Sequence, residues 1–332
     1  MKAFQIFEFG GPGRVVDVPV PQPGPGDLLV KVAAAGLNPV DNAIRRGQMQ
    51  ALLPLALPLT LGSELSGTVE ALGEGVQGFA VGDRVYARLD KRRIGTLAEY
   101  ALVGAADAAR APESLSFEQA AGIPLAGLTA WQALTDLGEV KRGQKVLIHA
   151  GAGGVGSLGI QLARHLGAWT ATTVSARNLE LARSLGADEA IDYHARDFAQ
   201  ELPELDFVLD TVGRDTLERS IPLVKPGGTL VTIYGSPTPQ VAESMGATGE
   251  ILNVLRERHA ANEALAAARG VRYLYWFMRP DGRQLAELAG LADAGELRAV
   301  TDSVYPLQDA EAAFAHLAEG HATGKVIVRV GE

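Results

Sequence analysis

The chain has 332 residues, a net charge of −9 and no cysteine. That length predicts two domains, and the absence of cysteine excludes disulfides, thiolate nucleophiles and every cysteine-based metal site, which fits a reducing compartment. Acidic and basic residues are interspersed without a basic stripe, so nucleic acid is not an expected partner.

The N-terminal stretch MKAFQIFEFGGPG has an acid and a proline where a signal peptide needs an unbroken apolar run. The most apolar stretch, residues 51–62, is short and is interrupted by Pro54 and Pro58. It therefore does not predict a membrane-spanning helix. We expect a soluble, cytoplasmic protein that has no membrane partner.

The first third of the chain is rich in Gly, Pro and Val, and its apolar runs are short and separated by turn residues. This pattern predicts the strands of a small, irregular β domain, with no sustained helix before about residue 115.

Helical spacing begins near residue 116, and from Lys145 onward β-type and helical runs alternate. Such alternation predicts a parallel sheet that is covered by helices on both faces. Residues 239–270 have helical spacing and are interpreted as an excursion, a helical segment that departs from this alternation. The stretches VRYLYWF and GHATGKVIVRV are each predicted to form a further strand.

A glycine turn stands between the first strand and the first helix of this series. Its sequence GAGGVG places Gly151, Gly153 and Gly156 in G-x-G-x-x-G spacing. The first glycine allows the tight turn, the second allows the backbone to approach a pyrophosphate, and the third allows the helix to pack on the strand. Because the motif follows a strand and opens a helix, it predicts a dinucleotide site.

The end of the second strand indicates which dinucleotide is bound. An NAD site needs an acid about 20 residues after the glycine turn, but TATTVSARN contains none and offers Ser175 and Arg177 instead. A hydroxyl and a guanidinium suit the 2′-phosphate of NADPH. The alternative is that Arg177 is only a solvated residue at a helix start.

Nine segments, among them AAAGLNPVDNAIRRG, LGSELSGTVEALGEG, VLIHAGAGGVG, DFVLDTVG and GHATGKVIVRV, resemble the medium-chain dehydrogenase/reductase superfamily. They are similar to its zinc-free, zeta-crystallin-like quinone oxidoreductase branch. The resemblance implies an α/β protein with a GroES-like β domain and a Rossmann domain with a doubly wound parallel sheet. It implies residues 1–124 and 278–332 for the GroES-like catalytic domain and residues 125–277 for the NADP-binding domain.

The residues that bind zinc in the alcohol dehydrogenases of that superfamily are replaced here. Asn38 stands where they have a cysteine, Ser63 stands where they have a histidine, and their four-cysteine lobe is absent. We therefore expect no metal site. Without a Lewis acid, an already electrophilic acceptor, such as a quinone or an α,β-unsaturated carbonyl, is the expected substrate, and hydrogen-bond donors hold the charge that develops on its oxygen.

The resemblance also assigns roles to individual residues. It implies that Asn38, Asp41 and Thr129 border the nicotinamide as catalytic residues; the alternative for Asn38 and Asp41 is a local turn. The implied cofactor-binding residues are Gly151, Ala152, Gly153, Gly154, Val155, Gly156, Ser175, Arg177, Tyr193, Val212, Phe277 and Lys325. For Lys325 the alternative is an ordinary lysine at a strand edge.

The segment after Asp41 departs from bacterial quinone reductases because it contains no tyrosine. A tyrosine proton donor from that loop is therefore excluded, and water is the expected proton source. The sequence instead predicts an apolar substrate wall built from Ile44, Met49, Leu52 and Leu53.

Two other functions stay open. An enoyl-thioester reductase would need a basic patch for its carrier phosphate, and residues 90–95 (DKRRIG) are the one candidate. A non-catalytic NADPH-binding protein belongs to a different class. The apolar strand VRYLYWF predicts a sheet edge that pairs with a second copy, so we expect a homodimer.

Overall fold

The structure, a computed structural model, describes residues 1–331. The chain forms two compact units. Unit 1 consists of Met1–Leu128 and the chain from Arg279 onward, and unit 2 consists of Thr129–Met278.

The described chain has sixteen strands and eleven α-helices. The strands are β1 Lys2–Ile6, β2 Arg14–Asp17, β3 Asp27–Leu37, β4 Leu59–Thr60, β5 Glu64–Leu72, β6 Arg84–Arg88, β7 Tyr100–Gly104, β8 Ala108–Arg110, β9 Lys145–Ile148, β10 Trp169–Val174, β11 Glu189–Asp192, β12 Leu205–Asp210, β13 Val224–Thr232, β14 Arg272–Tyr275, β15 Thr301–Pro306 and β16 Lys325–Arg329. The α-helices are α1 Pro39–Arg45, α2 Phe117–Ala121, α3 Pro124–Gln132, α4 Gly154–His165, α5 Leu179–Leu185, α6 Phe198–Glu201, α7 Arg214–Ser220, α8 Pro239–Ser244, α9 Glu250–Arg269, α10 Gly282–Asp293 and α11 Ala310–Ala318.

Unit 1 is built on β-sheets. Its large sheet has the order β15-β16-β3-β5-β6-β8, with β7 also paired to β3, and a small sheet has the order β2-β1-β4. Strand β16, from the end of the chain, pairs antiparallel with β3, with Val326 opposite Leu37. The C-terminal segment therefore completes the β domain, as the resemblance implies.

The long strand β3 explains why this unit holds together. Nine of its eleven residues are buried, so both of its faces contact apolar side chains. One face contributes Ala35 and Leu37 to a core with Phe4 and Phe314. The other face contributes Leu28 and Val30 to a second core. Burial of apolar area on both faces is the main stabilisation of such a strand.

Unit 2 is a six-stranded parallel sheet with the order β11-β10-β9-β12-β13-β14. The strand order reverses between β9 and β12, which is the switch point where doubly wound sheets bind ligands. A cluster around Leu147, Val208 and Leu230 fills its core. The predicted combination of a GroES-like domain and a Rossmann-like parallel sheet is confirmed.

Three local features differ from the sequence expectations. The helix α1 lies before residue 115, and the pair β15 and α11 near the C-terminus was not predicted. The helical run after residue 116 is broken between α2 and α3, where Pro124 opens a new helix because it has no N–H to continue the old one. The predicted excursion at 239–270 forms α8 and α9.

Candidate active site

The glycine turn joins β9 to α4, and its glycines are required by close packing. A Cβ atom on Gly151 would lie 2.1 Å from the Thr172 hydroxyl oxygen, and one on Gly156 would lie 2.2 Å from the carbonyl oxygen of Ala150. Ala150 itself adopts a φ of 50°, in the left-handed region. Only glycine at these two positions lets the helix approach the strand so closely.

The amino end of α4 is open toward a ligand. Gly153 is its N-cap and has no side chain to accept a hydrogen bond, so the amides of Gly154, Val155 and Gly156 are the unpaired first donors of the helix. A Cβ atom on Gly153 would meet only the Ala150 carbonyl oxygen, at 3.3 Å. A pyrophosphate suits this position. The three free amides and the positive end of the helix attract an anion, and a glycine without a side chain leaves room for it.

The end of β10 lies beside the end of β11, since Val174 pairs with Asp192. Ser175 is half-buried at the end of β10 and accepts a hydrogen bond from the Asn178 side chain, at 3.4 Å. Arg177 is exposed. Tyr193 follows β11, is 54% exposed and lies against His194 with ring centroids 4.3 Å apart. The residues predicted to hold the adenosine phosphates thus share one edge of the sheet.

The loop after β12 is fixed by a buried acid that sequence reasoning missed. Asp210 accepts hydrogen bonds from the backbone amides of Val212 and Gly213 and from the hydroxyl of Thr232. Its burial raises the pKa of that carboxyl. An acid at the end of an apolar strand, followed two residues later by Val-Gly, is a sequence signal that could have identified it. Val212, which this loop presents, is 37% exposed.

The strand β14 lies at the opposite end of the parallel sheet and ends two residues before Phe277. Phe277 is half-buried. Thr129 is buried in α3, at the start of unit 2. All the predicted cofactor residues except Lys325 are in unit 2, most of them at the carboxyl edge of its sheet.

Unit 1 holds a buried polar group that we call the ammonium cluster, made of Asn38, Glu64 and Lys325. Neighbouring strands bring the three together: Lys325 begins β16, Asn38 follows β3 and Glu64 begins β5. The Lys325 ammonium donates to Asn38 Oδ1 at 2.5 Å and to Glu64 Oε1 at 2.6 Å. Asn38 Nδ2 donates to the same Glu64 oxygen at 2.7 Å. Glu64 Oε2 accepts from the Leu125 amide at the start of α3.

Asp41 lies one hydrogen bond away from this cluster. Its carboxylate accepts from the Asn38 amide at 2.8 Å and from the Ser63 hydroxyl at 2.5 Å. Asp41 is fully buried, and this burial raises its pKa while the Ser63 hydrogen bond opposes the rise. Arg88, also buried, donates to the Ser63 carbonyl. The structure therefore connects Asn38, Asp41 and Lys325, three residues that the sequence considered separately.

The predicted apolar wall is only partly available for contact with a substrate. Ile44 is 3% exposed and belongs to the hydrophobic core that includes Phe314. Leu53 is also buried, at 1% exposed. Met49 and Leu52 are half-buried. Ile44 and Leu53 are therefore buried rather than exposed as a wall, in the case of Ile44 because the short helix α1 turns it toward the core.

His149, at the end of β9, is a buried packing residue. Its two ring nitrogens lie 3.0 Å from the Thr173 hydroxyl and 2.8 Å from the Ser220 hydroxyl. Burial lowers its pKa to about 3, so the ring is neutral at ordinary pH.

Known proteins place this architecture in a family. A family model described as a zinc-binding dehydrogenase matches residues 185–328, and the alcohol dehydrogenase GroES-like domain matches residues 24–113. The chain is 34% identical over 330 residues to the mitochondrial NAD(P)H oxidoreductase RTN4IP1 of Danio rerio, covering 93% of this chain and 84% of that protein. It is 34% identical over 342 residues to the chloroplastic NADPH-dependent alkenal/one oxidoreductase of Arabidopsis thaliana, covering 99% and 79%. The quinone oxidoreductase structure from Coxiella burnetii superposes with a TM-score of 0.85 at 35% identity, covering 99% of each chain.

The fold and the glycine-turn edge define a two-domain, dinucleotide-dependent oxidoreductase. The chain belongs to the medium-chain dehydrogenase/reductase superfamily, within its zinc-free quinone oxidoreductase branch. This confirms the resemblance drawn from the sequence.

Two further properties of residues 1–331 bear on other classes of site. Within that range no helix is long and apolar enough to cross a membrane. The same residues contain no group of three or more His, Cys, Asp or Glu side chains arranged to hold a metal ion.

Proposed function

We propose that the protein uses NADPH to reduce quinones and α,β-unsaturated carbonyls without a metal ion. The observation that carries this proposal is the uncapped amino end of α4, which follows the glycine turn. The neighbouring strand β10 is followed by Ser175 and Arg177 and has no acid there. Because a 2′-phosphate is doubly charged and rich in acceptors, a guanidinium there favours NADPH over NADH.

Each proposed binding residue acts on one part of the cofactor. The amides of the glycine turn hold the pyrophosphate, Ser175 and Arg177 hold the 2′-phosphate, and Tyr193 lies along the adenosine. Val212, Phe277 and Thr129 serve the nicotinamide end. When bound, NADPH supplies the hydride. Unit 2 is thus the proposed NADP-binding domain, and unit 1 is the proposed catalytic domain.

The acceptor class follows from the residues in unit 1. Asn38 and Ser63 stand where zinc dehydrogenases of the superfamily have metal ligands, and both side chains are engaged in hydrogen bonds with protein groups. An amide and a hydroxyl are poor ligands for zinc. Quinones and conjugated carbonyls suit such a site because they accept hydride at carbon and delocalise the resulting charge onto oxygen. Asn38 is proposed to orient the acceptor, and the fully buried Asp41 is proposed to support catalysis by holding Asn38 through its backbone amide. Water supplies the final proton.

The thioester alternative is less well supported by the structure. Within the basic run at residues 90–95, Arg93 forms a bidentate salt bridge with Asp27, with N–O distances of 2.9 and 2.8 Å. That guanidinium is already neutralised by a carboxylate and is not a free partner for a carrier phosphate.

We also propose a homodimer and a cytoplasmic location. The sheet of unit 2 ends at β14, so one side of this strand has no partner within the described chain. Unpaired edge strands favour pairing with a second copy. Two of the relatives are described as a mitochondrial and a chloroplastic protein, so fractionation of cells expressing the protein is the test of location.

The proposed function is tested by following NADPH oxidation with 1,4-benzoquinone and with methyl vinyl ketone as acceptors. Oxidation that depends on both the protein and an acceptor, and that exceeds the rate without protein, is the expected result. A protein that binds NADPH but oxidises it with neither acceptor, nor with an enoyl-thioester, would instead be the non-catalytic binding protein.

A further inference from the structure

The ammonium cluster is expected to contribute little to the stability of the fold. The Lys325 side chain is 5% exposed and the Glu64 side chain is fully buried, so both charges have lost most of their water. A buried ion pair of this kind is often no more stabilising than apolar residues of similar volume, because desolvation offsets the Coulomb attraction. A purely structural role therefore does not account for it well.

The hydrogen bonds of Lys325 leave one donor available. An ammonium has three N–H groups, and within residues 1–331 the Lys325 ammonium has two acceptors, Asn38 Oδ1 and Glu64 Oε1. Its third N–H has no acceptor in that part of the chain. Lys325 and Asn38 each keep 4% exposure while Glu64 has none, so the remaining access to the cluster is at Lys325 and Asn38.

The surrounding groups hold the donor in place. Glu64 is anchored at its other oxygen by the Leu125 amide, at 2.6 Å. Asn38 is anchored by its own backbone amide on Asp41, at 2.8 Å. A cation whose partners are fixed in advance needs little rearrangement when a negative charge forms near it, which is the condition for strong electrostatic catalysis.

We propose that Lys325 is the cationic donor that stabilises the oxygen anion formed when the acceptor takes up hydride. This inference rests on the proposed function. The hydride and its two electrons add to the β-carbon of an enone, the C=C electrons shift, and the carbonyl becomes an enolate; with a quinone the product is a hydroquinone anion. Lys325 donates a hydrogen bond but transfers no proton, and water then supplies the proton that completes the product.

This role has a consequence that a structural role lacks. An enone is a much weaker hydride acceptor than a quinone, so its transition state lies later and places more of the developing charge on oxygen, where a hydrogen-bonding cation stabilises it more. Loss of Lys325 should therefore slow enone reduction much more than quinone reduction. A residue that acts only through the fold would slow both by a similar factor.

The test compares Lys325→Met with the wild type on methyl vinyl ketone and 1,4-benzoquinone, with the dissociation constant of NADPH measured by fluorescence titration. Removal of one oxyanion donor typically costs about 100- to 1,000-fold in kcat. We expect that loss for the enone and less than about 10-fold for the quinone. The NADPH dissociation constant should stay within about 3-fold of wild type, because in this role Lys325 contacts the acceptor and not the cofactor, unlike the contact that the family resemblance implies. Lys325→Arg should recover part of the enone activity, and Arg329→Met, an exposed position on the same strand, should change nothing.

A second variant covers failure of Lys325→Met to fold, since it leaves Glu64 buried without its counterion. The double variant K325M/E64Q removes both charges and keeps a carbonyl acceptor for the Leu125 amide, and the same acceptor-dependent loss is expected. Equal losses for both acceptors, a weakening of NADPH binding that matches the loss of activity, or wild-type enone turnover in either variant would overturn the role of Lys325. A wild-type protein inactive with both acceptors would overturn the proposed function, and this role with it.

Discussion

At the scale of single residues, Arg177 and His149 are two basic side chains that differ in burial and therefore in charge. Arg177 is exposed at the end of β10, where it can meet an anion from solvent. His149 is enclosed one strand away and is held neutral by burial. The sequence distinguishes them poorly, because both are basic residues next to strand ends. Burial is what separates the residue proposed to bind the cofactor from the packing residue here.

The substitution Arg177→Ala should weaken NADPH binding by about 10- to 100-fold. A charge-assisted hydrogen bond contributes about 1.5–3 kcal/mol, and about 1.4 kcal/mol is tenfold in affinity. NADH lacks the 2′-phosphate, so its binding should change little. Titration of both cofactors checks this, with Arg183→Ala, on α5, as the control. Equal weakening of both cofactors would mean that Arg177 is a solvated residue at a helix start.

His149 should make the protein less stable in acid. Its folded-state pKa of about 3 lies below its ordinary value of 6.5, so the unfolded chain binds the extra proton between these two values. Stability is therefore complete above pH 6.5 and falls as the pH drops, by up to about 1.4 kcal/mol per pH unit from this group. Denaturant unfolding at pH 7 and pH 5 should show a smaller pH dependence in His149→Gln than in wild type.

A matched control exists for that measurement. The pKa of His316 is raised, mainly by its hydrogen bond to Asp302, so its contribution is present at low pH and is lost as the pH rises. His316→Gln should therefore steepen the loss in acid. If His149→Gln and the wild type lose the same free energy between pH 7 and pH 5, His149 is not held neutral as described.

At the scale of elements, the turn between β9 and α4 separates packing from binding. Gly156 is required by the approach of helix to strand, with a Cβ position 2.2 Å from the Ala150 carbonyl oxygen, whereas at Gly153 that distance is 3.3 Å. Two glycines three residues apart in one motif thus have different physical reasons to be glycine.

Replacing each glycine with alanine should separate these two roles. Gly156→Ala should destabilise the fold by about 1–3 kcal/mol, the usual cost of overpacking. The free energy of unfolding of Gly153→Ala should lie within about 1 kcal/mol of the wild-type value. Its NADPH binding should be at least about 10-fold weaker, because the added methyl group would occupy the space proposed for the pyrophosphate. Denaturant unfolding and NADPH titration together check both. Wild-type NADPH affinity in Gly153→Ala would contradict a pyrophosphate site at this turn.

The elements also show how far the sequence could predict the fold. Hydrophobic periodicity and turn residues identified the parallel strands from β9 to β14, because each element there has a strong local sequence pattern. The helix α1 was missed because it has only seven residues, and β15 was missed because its residues are only half-buried or exposed. The ammonium cluster was beyond reach, since Lys325 and Asn38 are 287 residues apart and meet only through the register of β16 on β3.

At the scale of the whole molecule, the open edge at β14 carries the proposal of a dimer. Light scattering at micromolar concentration should give about twice the 34.8 kDa of one chain. Leu274→Lys places a charge in this strand, a substitution that disfavours edge pairing, and should shift the protein toward the monomer. A wild-type protein that stays monomeric at these concentrations would exclude pairing at this edge under those conditions.

The central claim is that this is a metal-independent enzyme that uses NADPH, and one measurement tests it most directly. The protein is dialysed against a chelator, and kcat/KM is then measured for NADPH and for NADH with 1,4-benzoquinone as the acceptor. We expect undiminished activity and a clear preference for NADPH, because Arg177 and Ser175 are proposed to bind the 2′-phosphate and the proposed reaction uses no metal. Higher kcat/KM with NADH, or activity that disappears with the chelator and returns with zinc, would contradict the account.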